Sequence, residues 1–85
     1  MNKESNEKYA FVTGANRGLG RGFTEYLIGI GYTVFAGARN ISAFPADLLS
    51  KDKVVPIEVD VTDDMSILKA FQVVSKQVDH LDLFI

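Results

Sequence analysis

Eighty-five residues hold one small domain at most, and 47% apolar with 24% charged content is the composition of a folded globule, not of a disordered tail. A net charge of −2 excludes a broad electrostatic pull on nucleic acid or anionic lipid, so any phosphate must be held locally by a few cations and backbone dipoles. The chain has no cysteine, which rules out a disulfide framework and thiolate metal sites.

Residues 1–7 are polar and mixed in charge, without the apolar segment of a secretory signal. The longest nearly apolar stretch, Tyr26 to Ala38, is too short to span a bilayer. A cytoplasmic protein without membrane or nucleic-acid contact is expected. Lys8 to Thr13 reads as a first strand, because Tyr9, Phe11 and Val12 are β-prone. The glycine-rich run Thr13-Gly14-Ala15-Asn16-Arg17-Gly18-Leu19-Gly20 follows and opens a helix over Gly18 to Ile30. Leu19, Phe23, Tyr26, Leu27 and Ile30 recur at the helical period and are expected to lie on a sheet. Gly31 is expected to end the helix in a left-handed conformation.

Tyr32 to Ala38 is a second strand whose weak alternation suits burial on both faces. Asn40 to Lys53 has a weak pattern interrupted by Pro45, with a short helix expected around Ala46 to Ser50. Val54 to Val59 is a third strand, and Pro56 within it requires a sheet edge. Asp63 to Val78 is a second long helix carrying Ile67, Leu68, Phe71, Val74 and Val78 on one face. Leu81 to Ile85 begins a fourth strand. This alternation predicts an α/β fold: a Rossmann-type doubly wound parallel sheet, N-terminal half only, with strand order 3-2-1-4. Residues 1–85 are then a single incomplete dinucleotide-binding domain. The uncovered fourth strand leads us to expect an N-terminal piece of a longer protein.

A strand, a glycine-rich turn and a helix start together make an anion site, since the first helical N–H groups lack internal partners and carry the positive end of the dipole. Gly14 permits the tight turn, while Gly18 and Gly20 leave room for a pyrophosphate and for close packing of helix on strand. Leu19 offers its N–H at the helix start, and Asn16 is expected to hold the turn through its side-chain amide. The loop lacks the Gly-Lys-Ser/Thr ending of a nucleoside-triphosphate P-loop. A plain ligand-free turn would not require three glycines in eight residues.

Thr-Gly-x-x-x-Gly-x-Gly at residues 13–20, Asp60-Val61-Thr62 after the third strand and Leu81-Asp82-Leu83-Phe84-Ile85 fall at compatible spacings. Over residues 8–85 the chain resembles the short-chain dehydrogenase/reductase family. The resemblance implies that Asp60 accepts the adenine amino group while the Val61 N–H meets a ring nitrogen. The residues alone also read as a helix-capping segment, since Asp and Thr before a helix satisfy its free N–H groups, and the two readings are compatible if Thr62 caps and Asp60 reads adenine. NAD sites place Asp or Glu after the second strand, whereas this chain has Ala38 and Arg39 there and no acid until Asp47. Arg39 and Arg17, basic at the places that mark NADP-preferring members, favour NADP(H) over NAD(H). The bland alternative is a pair of solvated arginines. Asn40 is a candidate for the ribose side.

The family's proton donor is a tyrosine with a lysine four residues later. Here Tyr9, Tyr26 and Tyr32 are followed at that distance by Thr13, Ile30 and Ala36, so no catalytic residue is assigned. A full-length form is implied to be an oxidoreductase moving a hydride between nicotinamide and a carbonyl or alcohol substrate, with oligomerisation only through helices beyond residue 85. The 85-residue chain alone is expected to be inactive. The alternatives are a non-catalytic NADP(H) sensor and a truncated product without function. His80, the sole histidine, has no partner for a metal site or triad and reads as an exposed turn residue.

Overall fold

A computed structural model describes residues 7–85; the polar stretch of residues 1–6 lies outside the described residues. In chain order the elements are β1 (Lys8–Thr13), α1 (Gly18–Gly29), β2 (Tyr32–Ala38), a 3-10 turn (Ile41–Ala43), α2 (Ala46–Leu49), β3 (Val54–Glu58), α3 (Asp64–Ser75) and β4 (Leu83–Phe84). All pairings are parallel and the strand order is β3-β2-β1-β4, as the pattern of elements predicts. Pro56 stands opposite Ala36 on the edge strand β3, where its missing N–H breaks no central ladder.

Successive strand residues point to opposite faces, which divides the core into two layers. Ala10 and Val12 of β1 and Val34, Ala36 and Ala38 of β2 face α1 and α2, where Leu27, Phe44 and Leu48 close over them. Phe11 and Phe35 face the other way, onto Ala70 and Val74 of α3, with Ile57 and Val59. Helices therefore cover both faces of the sheet. Phe11, Phe71 and Phe84 form an edge-and-tilt cluster with centroids 5.4–5.6 Å apart, and this seats the short β4. Tyr9 and Asp82 also bind β1 to the approach of β4: the Asp82 N–H donates to the Tyr9 carbonyl at 2.7 Å, and the Tyr9 N–H donates to Asp82 Oδ2 at 2.8 Å.

The face of α1 differs from the expected one. Leu19 is 77% exposed, Tyr26 64% and Ile30 55%, and Phe23 is also exposed. The helix instead buries Thr24 and Leu27, with Gly20 and Ile28 partly covered. A Cβ on Gly20 would lie 2.1 Å from the Gly14 carbonyl oxygen, so small residues on this side let the helix sit close to the β1 turn. Thr24 satisfies its buried hydroxyl by donating to the Gly20 carbonyl at 2.9 Å. Arg21 ties α1 to α2 through Asp47 at 2.8 Å and also pairs with Glu25. Gly31, at φ 103°, ends the helix as its position predicts. No helix among the described residues is long and apolar enough to cross a membrane.

Candidate functional site

The carboxyl ends of β1, β2 and β3 open into one cleft of about 810 Å³, a size suited to a small organic ligand. Open α/β sheets bind ligands at this end, beside the strand where the winding direction reverses, here β1. From the end of β1, the loop after it and the start of α1 the cleft receives Thr13, Gly14, Asn16, Arg17 and Gly18. From the end of β2 come Ala38, Arg39 and Asn40, and from the end of β3 come Val59, Asp60, Val61 and Thr62. Leu19 and Gly20 stand in the first turn of α1 behind this lining.

The glycine loop has the geometry of a cradle. Gly14 and Gly18 take φ of 61° and 60°, a left-handed conformation that side chains with a Cβ seldom adopt, and the space where each Cβ would stand is open. The loop is held by the Ala15 N–H donating to the Gly37 carbonyl at 3.0 Å. That bond performs the task expected of Asn16, which lines the cleft. Arg17 is the N-cap of α1 and makes no side-chain capping bond, so its side chain does not take up the first helical N–H groups. By contrast, α3 is capped by its own residue: Asp63 accepts from the Met65 N–H at 3.0 Å.

Capping of α3 by Asp63 corrects the role expected of Thr62. The Thr62 side chain turns back and donates its hydroxyl to Asp60 Oδ1 at 2.6 Å, and its N–H donates to the same oxygen at 3.0 Å. Five side chains with oxygen atoms crowd residues 60–66, and the one directly before the helix, Asp63, takes the cap. The two bonds from Thr62 hold the Asp60 carboxyl below its ordinary range, and the charge of Arg39 adds to the effect. Both of these bonds fall on Oδ1, and among the described residues none falls on Asp60 Oδ2. The Asp60 N–H in turn donates to Ser66 Oγ at 2.8 Å, which fixes the backbone of this corner.

Among the described residues, neither Arg17 nor Arg39 forms an ion pair, although both line the cleft. Ala43 and Val59 complete the lining and were missed. Val59 was visible only as the last residue of a strand, and Ala43 lies in the segment with the weakest pattern. No tyrosine lines the cleft. Tyr9, at the opposite end of β1, donates its hydroxyl to Glu7, and that carboxylate raises its pKa above the usual phenol value. Such a shift moves it further from proton transfer at neutral pH.

The family model described as short chain dehydrogenase matches residues 8–85. The chain belongs to that family. A short-chain dehydrogenase/reductase of Talaromyces stipitatus, tropE, is 35% identical over 91 aligned positions, which take in 95% of this chain and 34% of that protein. An oxidoreductase of Botryotinia fuckeliana, BOA17, is 31% identical across 92% of this chain and 29% of its own length. Among solved structures, the menthone neomenthol reductase of Mentha piperita superposes with a TM-score of 0.85 at 26% identity, over 93% of this chain and 30% of that one. The chain thus spans about a third of the length of these relatives. The family's cofactors are nicotinamide dinucleotides; a 3-ketoacyl-(acyl-carrier-protein) reductase of Brucella melitensis with the same fold was solved with NADH. The residues of this short-chain dehydrogenase cleft suit such a group: an open glycine cradle, a helix start without a side-chain cap, two cations and a carboxylate oxygen that has no partner among the described residues.

Proposed function

We propose that this chain is the NADP(H)-binding N-terminal part of a short-chain dehydrogenase/reductase whose full-length form moves a hydride between nicotinamide and a carbonyl or alcohol carbon. The observation that carries the choice of cofactor is the pair Arg17 and Arg39 on one cleft, with Ala38 at the end of β2 where an acid would repel a 2′-phosphate. Guanidinium groups remain charged and donate in a planar fork, which matches phosphate oxygens. The cradle of Gly14 and Gly18, with the N–H groups of Leu19 and Gly20 at the helix start, receives the pyrophosphate. Asp60 Oδ2 accepts from the adenine amino group, the Val61 N–H meets the ring, and Asn16 and Asn40 flank the ribose side.

When bound, the nicotinamide supplies the hydride chemistry, and the protein contributes position and charge. Proton supply needs a Tyr-x-x-x-Lys pair, which residues 1–85 do not contain. We therefore assign binding, and no turnover, to this chain by itself. Titration with NADPH and NADH, followed by nicotinamide fluorescence, tests the reading. NADPH is expected to bind at least about tenfold tighter, and Arg17→Ala or Arg39→Ala each to remove most of that margin. Equal affinity for the two cofactors would overturn it, and NADPH oxidation with a panel of aldehydes and ketones would overturn the assignment of no turnover.

A further inference from the structure

Asn40 sits beside Arg39 on the cleft, and its side chain is not free to turn. It is the N-cap of the Ile41–Ala43 turn, where Oδ1 accepts from the Ser42 N–H at 3.0 Å and from the Ser42 hydroxyl at 2.7 Å. Two donors fill the two lone pairs of a carbonyl oxygen. The amide therefore has no acceptor left to offer, and its two N–H bonds are its remaining polar groups. An acidic residue at the end of β2 recognises an unmodified ribose by accepting from its hydroxyl. A side chain locked as a donor does the reverse: it suits an acceptor-only phosphate. We infer that Ser42 is a positioning residue that fixes Asn40 as a donor-only group, and that this pair, together with the arginines, selects a 2′-phosphorylated ribose. The inference rests on the NADP(H) reading above and adds two neutral residues to its specificity.

The test uses adenosine 2′,5′-bisphosphate and adenosine 5′-monophosphate, which differ only in the 2′-phosphate, titrated calorimetrically against the 85-residue chain. Asn40→Ser retains a capping hydroxyl and neutrality but removes the amide donors, and is expected to weaken bisphosphate binding by about fivefold. Asn40→Asp retains the cap and the shape, and is expected to weaken it by more than about tenfold. Both should lower the ratio of bisphosphate to monophosphate affinity, Asn40→Asp the more strongly because its carboxylate accepts from an unmodified 2′-hydroxyl. Ser42→Ala is expected to lower only bisphosphate affinity, by about threefold, and Ser42→Thr, which keeps the hydroxyl, to restore it. If Asn40→Ser leaves the ratio of affinities at the wild-type value, the effect of Asn40→Asp is bulk charge and the inference fails. If the unaltered chain itself does not prefer the bisphosphate, the cofactor reading fails first and this inference with it.

Discussion

Gly20 and Gly22 are two residues apart on α1 and face opposite constraints. A methyl group at Gly20 would meet the Gly14 carbonyl oxygen at 2.1 Å, and the obstacle is backbone that can move only if the cradle moves. At Gly22 the same methyl meets nothing within 4 Å, on an exposed face in the helix interior. Gly20→Ala is thus expected to destabilise the fold by about 1–3 kcal/mol and to weaken dinucleotide binding. Gly22→Ala is expected to stabilise by about 0.5–1 kcal/mol through the smaller entropy of the unfolded chain. A pair of thermal melts decides: the two midpoints should move in opposite directions, and a shared direction would refute the close approach of helix and loop. At Asp60, Thr62→Val removes the hydroxyl bond but leaves the N–H, so the carboxyl pKa should rise towards its ordinary value. Carboxyl chemical shifts followed against pH would show it.

At the scale of an element, α1 shows how a helix can be legible while its buried face is not. Its apolar residues recur correctly, yet Leu19, Tyr26 and Ile30 are exposed and Thr24 is buried. Close approach to the sheet selects small residues, and a count of apolar residues cannot see that choice. Leu27→Ala is expected to cost about 2–5 kcal/mol, because Leu27 alone among the stripe is fully enclosed. Tyr26→Ala should stay within about 0.5 kcal/mol, and urea unfolding of both variants would rank them. Similar costs would restore the stripe as the buried face. The strands were readable because β-prone runs and turn residues bound them, and Pro56 marked the edge. The cleft was readable where glycine and arginine chemistry is local in sequence, as at Gly14, Arg17, Gly18 and Arg39. It was not readable at Thr62 or Asp63, since several oxygens compete there for one helix start and only their geometry decides. Asp63→Ala should therefore cost about 1 kcal/mol, and Thr62→Ala should leave α3 intact.

Across the whole molecule, the seam between β1 and the segment before β4 joins residues more than seventy positions apart and carries titratable groups of its own. His80 Nδ1 lies 2.9 Å from Asp79 Oδ1, and Nε2 lies 3.4 Å from Asp82 Oδ2, the same oxygen that accepts the Tyr9 N–H. The Tyr9 ring meets the imidazole edge-on at 5.2 Å, and a hydrogen bond to the Glu7 backbone also favours the protonated ring. The hydrogen bond to Asp79, with the charges of Asp82 and Asp79 adding, raises the His80 pKa above its ordinary value. The folded state therefore binds this proton more tightly than the unfolded state does. The contribution to stability is complete below about pH 6.5 and fades as pH rises through the higher folded value. Asp79 is shifted the opposite way by the same bond, so its share is lost only as the solution becomes acidic enough to protonate it. His80 is the sole histidine of the chain, so a fall in melting temperature between about pH 6 and 8 is expected to be small, because the ring is solvent-exposed, and assignable to it. His80→Gln should flatten that slope. Asp79→Asn should flatten it in part and lower the imidazole pKa measured by proton NMR. A variant lacking His80 that kept the full slope would show that the titrating group lies elsewhere and that the seam is held by its backbone bonds alone.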